Sequence, residues 1–247
     1  NRSRGFIVNT SSIRSSSWRE INFEIYDCVI YMAGAKPEHE DGDSEVLNYH
    51  LNSDMPFEIA SAAKAAGVTR FLFPSTMDVY GKYSRPGTDT VIEKNTAESP
   101  EGVYASSKLA GENRLKSLED DSFRVMILRL PLVYGPGCPG AYDRLKDIVL
   151  SRRKLPEVKN RLSVINVSTL CAFIQYIIEN DYCGTFHPQN KSYLSTADLM
   201  DMISKDLLVP LNISKWLSFK YRLFKKSCPE DLAPFMGSLV YSREIDL

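Results

Sequence analysis

The chain has 247 residues, enough for one large α/β domain or for one domain that carries a smaller lobe. Its 30 basic and 31 acidic side chains give a formal net charge of −1, which argues against a nucleic-acid or membrane partner. No stretch is long and apolar enough to span a membrane, and no signal-peptide pattern opens the chain, so we expect a cytoplasmic protein.

Neither the cysteines nor the histidines suggest a metal site. The 5 cysteines are widely separated and never spaced Cys-x-x-Cys, so they are predicted to be reduced packing residues. His39, His50 and His187 are far apart in the sequence, which favours surface or packing roles over metal binding. The near-neutral charge makes a small molecule the expected partner.

The first third of the chain alternates short apolar runs with polar segments. Residues 5–9 predict a first strand and residues 28–32 a second, with a short helix between them. The polar segment 36–43 predicts a loop. Small residues at helical spacing predict a helix over 53–66, closed by Gly67.

The next strand and helix bring three chemically active side chains together. Residues 71–73 form an apolar run typical of a buried parallel strand, so Thr76 lies at its carboxyl end, where open α/β sheets bind ligands. Tyr104 and Lys108 are four residues apart and project from one face of a helix. A phenol titrates near pH ~10, and a nearby ammonium lowers that pKa. We therefore expect Lys108 to activate Tyr104.

Beyond this pair the pattern is less regular. Residues 81–100 are too long and polar for a simple turn, and residues 123–128 predict another buried strand. Rising Gly and Pro density over 135–140 marks a departure from the sheet, and a helix follows over 141–150. The basic, aromatic stretch 215–226 fits either an amphipathic membrane-binding segment or an aromatic face packed on the rest of the chain. We expect packing.

Two motifs carry a family resemblance. Ser-Thr-x-x-Val-Tyr-Gly at 75–81, followed by Tyr-x-x-x-Lys at 104–108, resembles the extended short-chain dehydrogenase/reductase superfamily, in particular its NAD-dependent nucleotide-sugar epimerase/dehydratase group. Residues 27–35 are similar to the strand and small-residue turn that this family places beside its cofactor. Asn52 matches its structural Asn, and 128–136 matches the strand and loop after the catalytic helix. These landmarks occur in the family's order.

The resemblance implies an α/β fold with a Rossmann-like, doubly wound parallel sheet and a smaller C-terminal substrate lobe. The NAD-binding domain would comprise residues 1–135 together with 163–191. The substrate lobe would comprise residues 136–162 and 192–247.

The resemblance also places elements in the returning part of the chain. Residues 164–167 and 184–187 are expected as strands on either side of a helix over 168–180. Ser195 has capping-box character and would begin a helix of the substrate lobe.

The resemblance assigns roles to the site as well. Tyr104 would take the proton of a sugar hydroxyl while NAD, or NADP, takes hydride from the same carbon. Thr76 would hydrogen-bond that hydroxyl, and Lys108 would bind the nicotinamide ribose. The residues implied in cofactor binding are Ala33, Gly34, Asn52, Ser75, Tyr104, Lys108 and Pro131.

The resemblance further implies a homodimer. The helices over 53–66 and 104–116 of each copy would pair into a four-helix bundle.

Several positions depart from the family's pattern. Dehydratases carry an acidic pair directly after the Thr, and Met77 replaces the first acid, which disfavours elimination. Asp78 remains either an acid with a chemical role or a hydrogen-bonded turn residue. Leu162 stands where many relatives have a pyrophosphate-binding Arg. The candidates for contacting phosphate, each otherwise a solvated charge, are Arg144, Arg152 and Arg161.

The leading hypothesis is an NAD-dependent nucleotide-sugar epimerase of carbohydrate biosynthesis that transiently oxidises a sugar carbon. One set of alternatives is a nucleotide-sugar reductase, dehydratase or decarboxylase of the same superfamily. The other is a non-catalytic relative that serves as a binding or assembly module.

The start of the chain differs from the family. Members open with a strand, a Gly-rich turn and a helix whose N-terminus holds the cofactor pyrophosphate. No G-x-x-G-x-x-G occurs here, and residues 5–9 instead resemble the third strand, with Ser12 in place of an adenine-contacting Asp. We therefore expect a chain that is missing its N-terminal βαβ unit. The alternative is a natural protein without that unit, which would scarcely hold NAD.

Overall fold

Short strands alternate with longer helices along the chain. The computed structural model describes residues 5–13, 16–34, 42–152 and 154–245. In these residues the strands are β1 Cys28–Ile30, β2 Arg70–Thr76, β3 Asp89–Ile92, β4 Arg124–Leu130, β5 Leu132–Tyr134, β6 Leu155–Pro156, β7 Val164–Asn166, β8 Gly184–Phe186, β9 Ile213–Ser214 and β10 Ser238–Tyr241. The α-helices are α1 Gly42–Tyr49, α2 Met55–Ala65, α3 Gly102–Lys116, α4 Ala141–Ser151, α5 Val167–Glu179, α6 Thr196–Leu207 and α7 Lys215–Leu223. None of these helices is long and apolar enough to cross a membrane.

A parallel sheet in the order β1-β2-β4-β8 forms the centre of the fold. Phe71 and Phe73 of β2 pack with side chains of α2 and α3, whereas Leu72 packs with side chains of α5. All three are fully buried. A strand covered on both faces needs consecutive apolar residues, which is the pattern of the sequence. The predicted α/β fold with a Rossmann-like parallel sheet is confirmed.

Helices α1 and α2 form one continuous helical segment. They are joined by a π-helical turn, His50–Asp54, and the segment closes at Gly67, whose φ of +88° suits glycine. The predicted helix over 53–66 is therefore part of a longer one, which begins at Gly42. Asn52 lies in this π turn.

Helix α3 packs closely on this π turn. A Cβ at Gly111 would lie 2.1 Å from the backbone oxygen of Asn52, so only glycine allows the two segments to approach so closely. The contact fixes the side of α3 that carries Tyr104 and Lys108, and it holds that side against the carboxyl end of β2.

A second hydrophobic core lies in the C-terminal part of the chain. Helices α4 and α6 supply much of it, and Ser195 and Asp198 form the predicted capping box at the start of α6. Strand β5 pairs with β7, β6 with β9, and β3 with β10, each in parallel. The largest contributors to this core are Tyr134, Tyr142, Leu145, Ile148, Leu199, Met200, Ile203, Tyr221, Leu232 and Phe235.

Two predictions near the N-terminus are wrong. Residues 5–9 form no strand, because they have no strand partner among the described residues, and Ile7 is 92% exposed. Residues 42–43 belong to α1 rather than to the predicted loop, whose remaining residues, 36–41, lie outside the described part of the chain.

Candidate active site

A cleft of about 1180 Å³ opens at the carboxyl ends of β2 and β4. Parallel sheets bind their ligands at this edge. The cleft wall brings together most of the residues predicted from the sequence: Ala33, Gly34, Ser75, Thr76, Asp78, Tyr104, Lys108, Pro131 and Arg144. Asn52 and Arg161 are not part of the wall.

Thr76 links the end of β2 to Tyr104. Its Oγ1 accepts a hydrogen bond from the backbone amide of Asp78 at 3.2 Å, which caps the short 3-10 helix Met77–Tyr80. Its hydroxyl also hydrogen-bonds the Tyr104 side chain. Accepting the Asp78 amide leaves the Thr76 hydroxyl proton free, so Thr76 is able to donate to the Tyr104 oxygen when that oxygen is ionised.

The phenol of Tyr104 is held in its neutral form. Burial raises its pKa to about 12, the Asp78 carboxylate raises it as well, and the hydrogen bond from Thr76 opposes both effects. The expected lowering of this pKa by Lys108 is not found. Tyr104 therefore carries its proton at neutral pH in this structure.

Lys108 is turned toward the end of β2 instead. Its Nζ donates to the carbonyl oxygen of Pro74 at 2.9 Å and lies 4.6 Å from the ring centroid of Phe73. Burial lowers its pKa to about 8, an effect that Glu112 opposes. An ammonium has three N–H groups, and Pro74 is its one acceptor among the described residues. The remaining N–H groups are available to a ligand in the cleft.

Gly34 forms the floor of the cleft beside Lys108, and Asn52 lies behind it. A Cβ at Gly34 would lie 3.0 Å from Asn52 Oδ1 and 3.3 Å from Lys108 Nζ, so a larger residue would crowd both. Asn52 is fully buried, and its Nδ2 donates to Ser107 Oγ at 3.0 Å and to Asn48 Oδ1 at 3.2 Å. Asn52 thus supports the floor from behind and is not part of the cleft wall.

A buried polar cluster behind Ser75 was missed from the sequence. Ser75 Oγ donates a hydrogen bond to Glu112 Oε1 at 2.5 Å, and Arg129 Nη2 donates one to Glu112 Oε2 at 2.7 Å. Arg129 also donates to the Tyr80 hydroxyl at 2.8 Å and pairs with Glu98. Glu112 follows Lys108 by one helical turn, a spacing that could have identified it.

The residues after Thr76 differ in exposure. Met77 is 7% exposed and packs in a small core that includes Val79. Burial raises the pKa of both Tyr104 and Tyr83, and the charge of the half-buried Asp78 carboxylate raises each further. Asp78 is therefore the acidic side chain of the described wall whose charge acts on Tyr104, and Met77 leaves the preceding position apolar.

The cations of the outer cleft differ from those predicted. Arg144 on α4 lines the cleft, and so does Arg85, which was not predicted. Arg85 lies in the long polar connection 81–100, and that unusual length was the available signal. Arg161 and Arg152 each form an ion pair with an Asp outside the wall, at 2.9 Å and 2.6 Å, so neither reaches the cleft.

Comparison with known proteins gives consistent matches. The family model described as "NAD dependent epimerase/dehydratase family" matches residues 5–170. UDP-glucose 4-epimerase of Vibrio cholerae is 26% identical over 238 residues, which cover 92% of this chain and 71% of that protein. The dTDP-D-glucose 4,6-dehydratase of Mus musculus is 38% identical over 79 residues, 32% of this chain and 21% of that protein.

A solved structure shows the same fold. UDP-glucuronic acid 4-epimerase from Bacillus cereus, in complex with NAD, matches with a TM-score of 0.67 at 16% sequence identity. The match covers 93% of this chain and 68% of that one.

Proposed function

This chain belongs to the NAD dependent epimerase/dehydratase family, and we propose that it acts as an NAD-dependent nucleotide-sugar epimerase. The observation that carries the proposal is the hydrogen-bonded pair of Thr76 and Tyr104 in the cleft wall, with the Lys108 ammonium behind it. A UDP-hexose is the substrate we favour, because the Vibrio cholerae relative that aligns over most of the chain is a UDP-glucose 4-epimerase.

The cleft wall fits a nicotinamide cofactor. Ala33, Gly34 and Pro131 offer a smooth wall of small residues, and Lys108 has N–H groups available for ribose hydroxyls. When bound, NAD supplies a hydride acceptor and a positively charged ring. Asn52 lies behind Gly34, so we propose that it supports the cofactor-binding wall from the side away from the cleft.

Tyr104 and Thr76 would move a single proton. Tyr104 takes the proton of the sugar hydroxyl, and Thr76 stabilises the phenolate by donating to it. After the oxidised carbon has presented its other face, Tyr104 returns the proton to the same oxygen. The pKa of about 12 must fall for this step, which requires positive charge close to the phenol. Lys108, one helical turn away, does not lower this pKa by itself, so the positively charged ring that NAD supplies would have to act together with it.

Met77 supports epimerisation over dehydration. Elimination of water from the sugar needs an acid that protonates the leaving hydroxyl. The position directly after Thr76 is a buried Met, which has no proton to give. Asp78 is half-buried and tied by its own backbone amide to Thr76.

We further propose that the cofactor and the nucleotide sugar bind to different parts of the chain, as expected from the sequence. Residues 1–135 and 163–191 bind the cofactor, and residues 136–162 and 192–247 bind the nucleotide sugar. The second hydrophobic core, built largely from the latter ranges, supports this division. Arg144 and Arg85 are the cations placed to meet the phosphates, because both line the cleft. The protein works as a homodimer through α2 and α3.

Tyr104→Phe tests the mechanism. The variant keeps the ring and removes the hydroxyl, so we expect turnover of UDP-glucose to UDP-galactose, followed by NMR, to fall at least 10³-fold. Tyr193→Phe is the matched control. It also loses a hydroxyl hydrogen bond, to the Tyr241 backbone at 2.7 Å, but lies outside the cleft wall and should keep near-normal turnover.

The same assay separates the alternatives. An epimerase keeps its coenzyme redox state, so absorbance at 340 nm should stay flat while the sugar changes configuration. Steady NADPH oxidation would identify a reductase, and unchanged turnover in Tyr104→Phe would exclude the proposed proton transfer. Absence of NAD binding in calorimetry with the full-length protein would favour a non-catalytic relative.

A further inference from the structure

Residues 215–226, which we call the basic-aromatic segment, lie on the surface with most of their aromatic side chains in solvent. The segment comprises α7 and the start of the 3-10 turn Lys225–Ser227. Tyr221 is buried, as expected from the sequence, but Trp216 is 65% exposed and Phe219 is 58% exposed. The expectation that these aromatics pack on the rest of the chain is wrong for these two and for Phe224, which is 61% exposed.

The exposed apolar side chains share one face of α7. Trp216, Phe219 and Leu223 are three and four residues apart, the spacing that aligns side chains along a helix. Tyr221 points the other way into the second core. The helix therefore presents a continuous apolar stripe to solvent, which is unusual for so short an element.

Positive charge surrounds this stripe. The segment has no acidic residue, and none of its basic side chains forms an ion pair with a described residue. The near-zero net charge of the chain hides this local excess. Lys220 lies 5.5 Å from the Trp216 ring, so charge and aromatic surface are adjacent. The basic residues are Lys215, Lys220, Arg222, Lys225 and Lys226.

We propose that the basic-aromatic segment binds an anionic membrane surface. α7 has 9 residues and is about 14 Å long at ~1.5 Å per residue, so it would lie in the plane of the interface and not across it. Trp216, Phe219 and Leu223 enter the boundary between headgroups and acyl chains. The Lys and Arg side chains extend to the lipid phosphates. An apolar stripe that includes Leu223 fits a lipid boundary better than a nucleic acid, which would use aromatics alone for stacking.

The segment lies beside the opening of the cleft. The Lys225 side chain rests against Gly87, where an added Cβ would lie 2.7 Å from its Nζ. Arg85 and Pro86, just before Gly87, line the cleft. Membrane binding through α7 therefore holds the cleft mouth near the lipid surface. Because Lys225 lies against Gly87, next to two residues of the cleft wall, it is left unchanged in the variants that test binding.

Vesicle sedimentation with the full chain tests the proposal. Vesicles of phosphatidylcholine mixed with phosphatidylglycerol should carry the protein down, whereas pure phosphatidylcholine vesicles should not. Binding should be lost in about 1 M salt, where the Debye length is ~3 Å. Of the 2 tryptophans, Trp18 is buried, so a blue shift of emission on binding should come from Trp216 and vanish in Trp216→Ser.

Substitutions separate the contribution of the positive charges to membrane binding from that of the apolar stripe. Lys215→Gln/Arg222→Gln/Lys226→Gln should weaken binding roughly a hundredfold, about fivefold per charge. Lys82→Gln/Lys94→Gln/Lys191→Gln removes the same charge elsewhere and should have little effect. Trp216→Ser/Phe219→Ser should abolish binding, while Tyr176→Ser/Tyr182→Ser, which removes exposed aromatics of another surface, should not.

Three results would overturn the proposal. The first is equal binding to neutral and anionic vesicles, and the second is no binding to either. The third is a concentration-dependent mass that Trp216→Ser/Phe219→Ser abolishes, because it would show that a second copy covers this face. None of these readouts depends on epimerase activity, so they test membrane binding independently of the proposed function.

Discussion

Lys108 and Tyr104 carry opposite charges when ionised, yet burial moves both toward their neutral forms. The pKa of Lys108 falls from 10.5 to about 8, and that of Tyr104 rises from 10.0 to about 12. Each shift means that folding opposes the charged form of the group. At neutral pH Tyr104 is therefore a neutral phenol, whereas Lys108, with a pKa of about 8, is still largely protonated and bears the cost of a buried charge.

The Lys108 shift predicts how stability depends on pH. Below about pH 8 both folded and unfolded chains protonate Lys108, and the folded state bears the full penalty of the buried charge. Between about 8 and 10.5 the unfolded chain binds the proton more tightly, so the Lys108 contribution to stability rises with pH. We expect a rise of roughly 1 to 3 kcal/mol across that window.

Urea unfolding of the wild type and of Lys108→Met between pH 7 and pH 10 measures this contribution. The difference between the two proteins isolates Lys108 from other groups that titrate, such as Cys28, whose pKa burial raises to about 12. Lys64→Met is the control, since Lys64 is paired with Asp120 near the surface. Parallel stability profiles for the wild type and Lys108→Met would show that the Lys108 pKa is not lowered.

At the scale of the element, α3 is tied to β4 by the buried pair of Glu112 and Arg129. Burial alone would lower the Arg129 pKa, but the hydrogen bonds and charge of Glu112 raise it instead. The same carboxylate holds Ser75, next to Thr76. The pair therefore fixes the helix that carries Tyr104 relative to the strand that carries Thr76.

Breaking this pair should be costly. Arg129→Met leaves the Glu112 carboxylate buried without its main partner, and we expect a loss of about 3 to 5 kcal/mol in the free energy of unfolding. Glu112→Leu/Arg129→Met removes both charges and should recover part of that loss. If the double variant is less stable than Arg129→Met in denaturant titrations, the charges are not the source of the effect.

The sequence predicted the elements whose patterns are local. The apolar run of β2 and the Tyr104 to Lys108 spacing of α3 define a strand and a helix without reference to the rest of the chain. Strand β3 could not be found this way, because its partner β10 lies at the far end of the chain. Arg161 shows the same limit: its ion pair with β3 draws it away from the cleft.

The π turn was also beyond local patterns. Small residues around 53–66 predict a helix but not the inserted residue that buries Asn52 beneath Gly34. Burial of single aromatics was equally unpredictable. Tyr221 and Phe219 are both aromatic and lie two residues apart, and the more polar of the two, Tyr221, is the one that faces the core.

At the scale of the whole molecule, the outer surface of α2 and α3 is the expected dimer interface. On α3, Ser106 and Ala110 lie one turn apart and are half-exposed. Small residues let helices approach closely enough to form a four-helix bundle. A stable interface of this kind buries on the order of 1,200 to 2,000 Å².

Ala110→Arg should therefore convert a dimer into a monomer. The long charged side chain would stand in the bundle interface, and the chain itself should stay folded because Ala110 is only half-buried. Sedimentation equilibrium should give twice the chain mass for the wild type and the single mass for the variant. Ala172→Arg, on the exposed side of α5, is the matched control and should remain dimeric. Because Tyr104 lies on the same helix as Ala110, dissociation of the dimer should also lower turnover. A wild-type protein that stays monomeric at all concentrations would contradict the four-helix bundle.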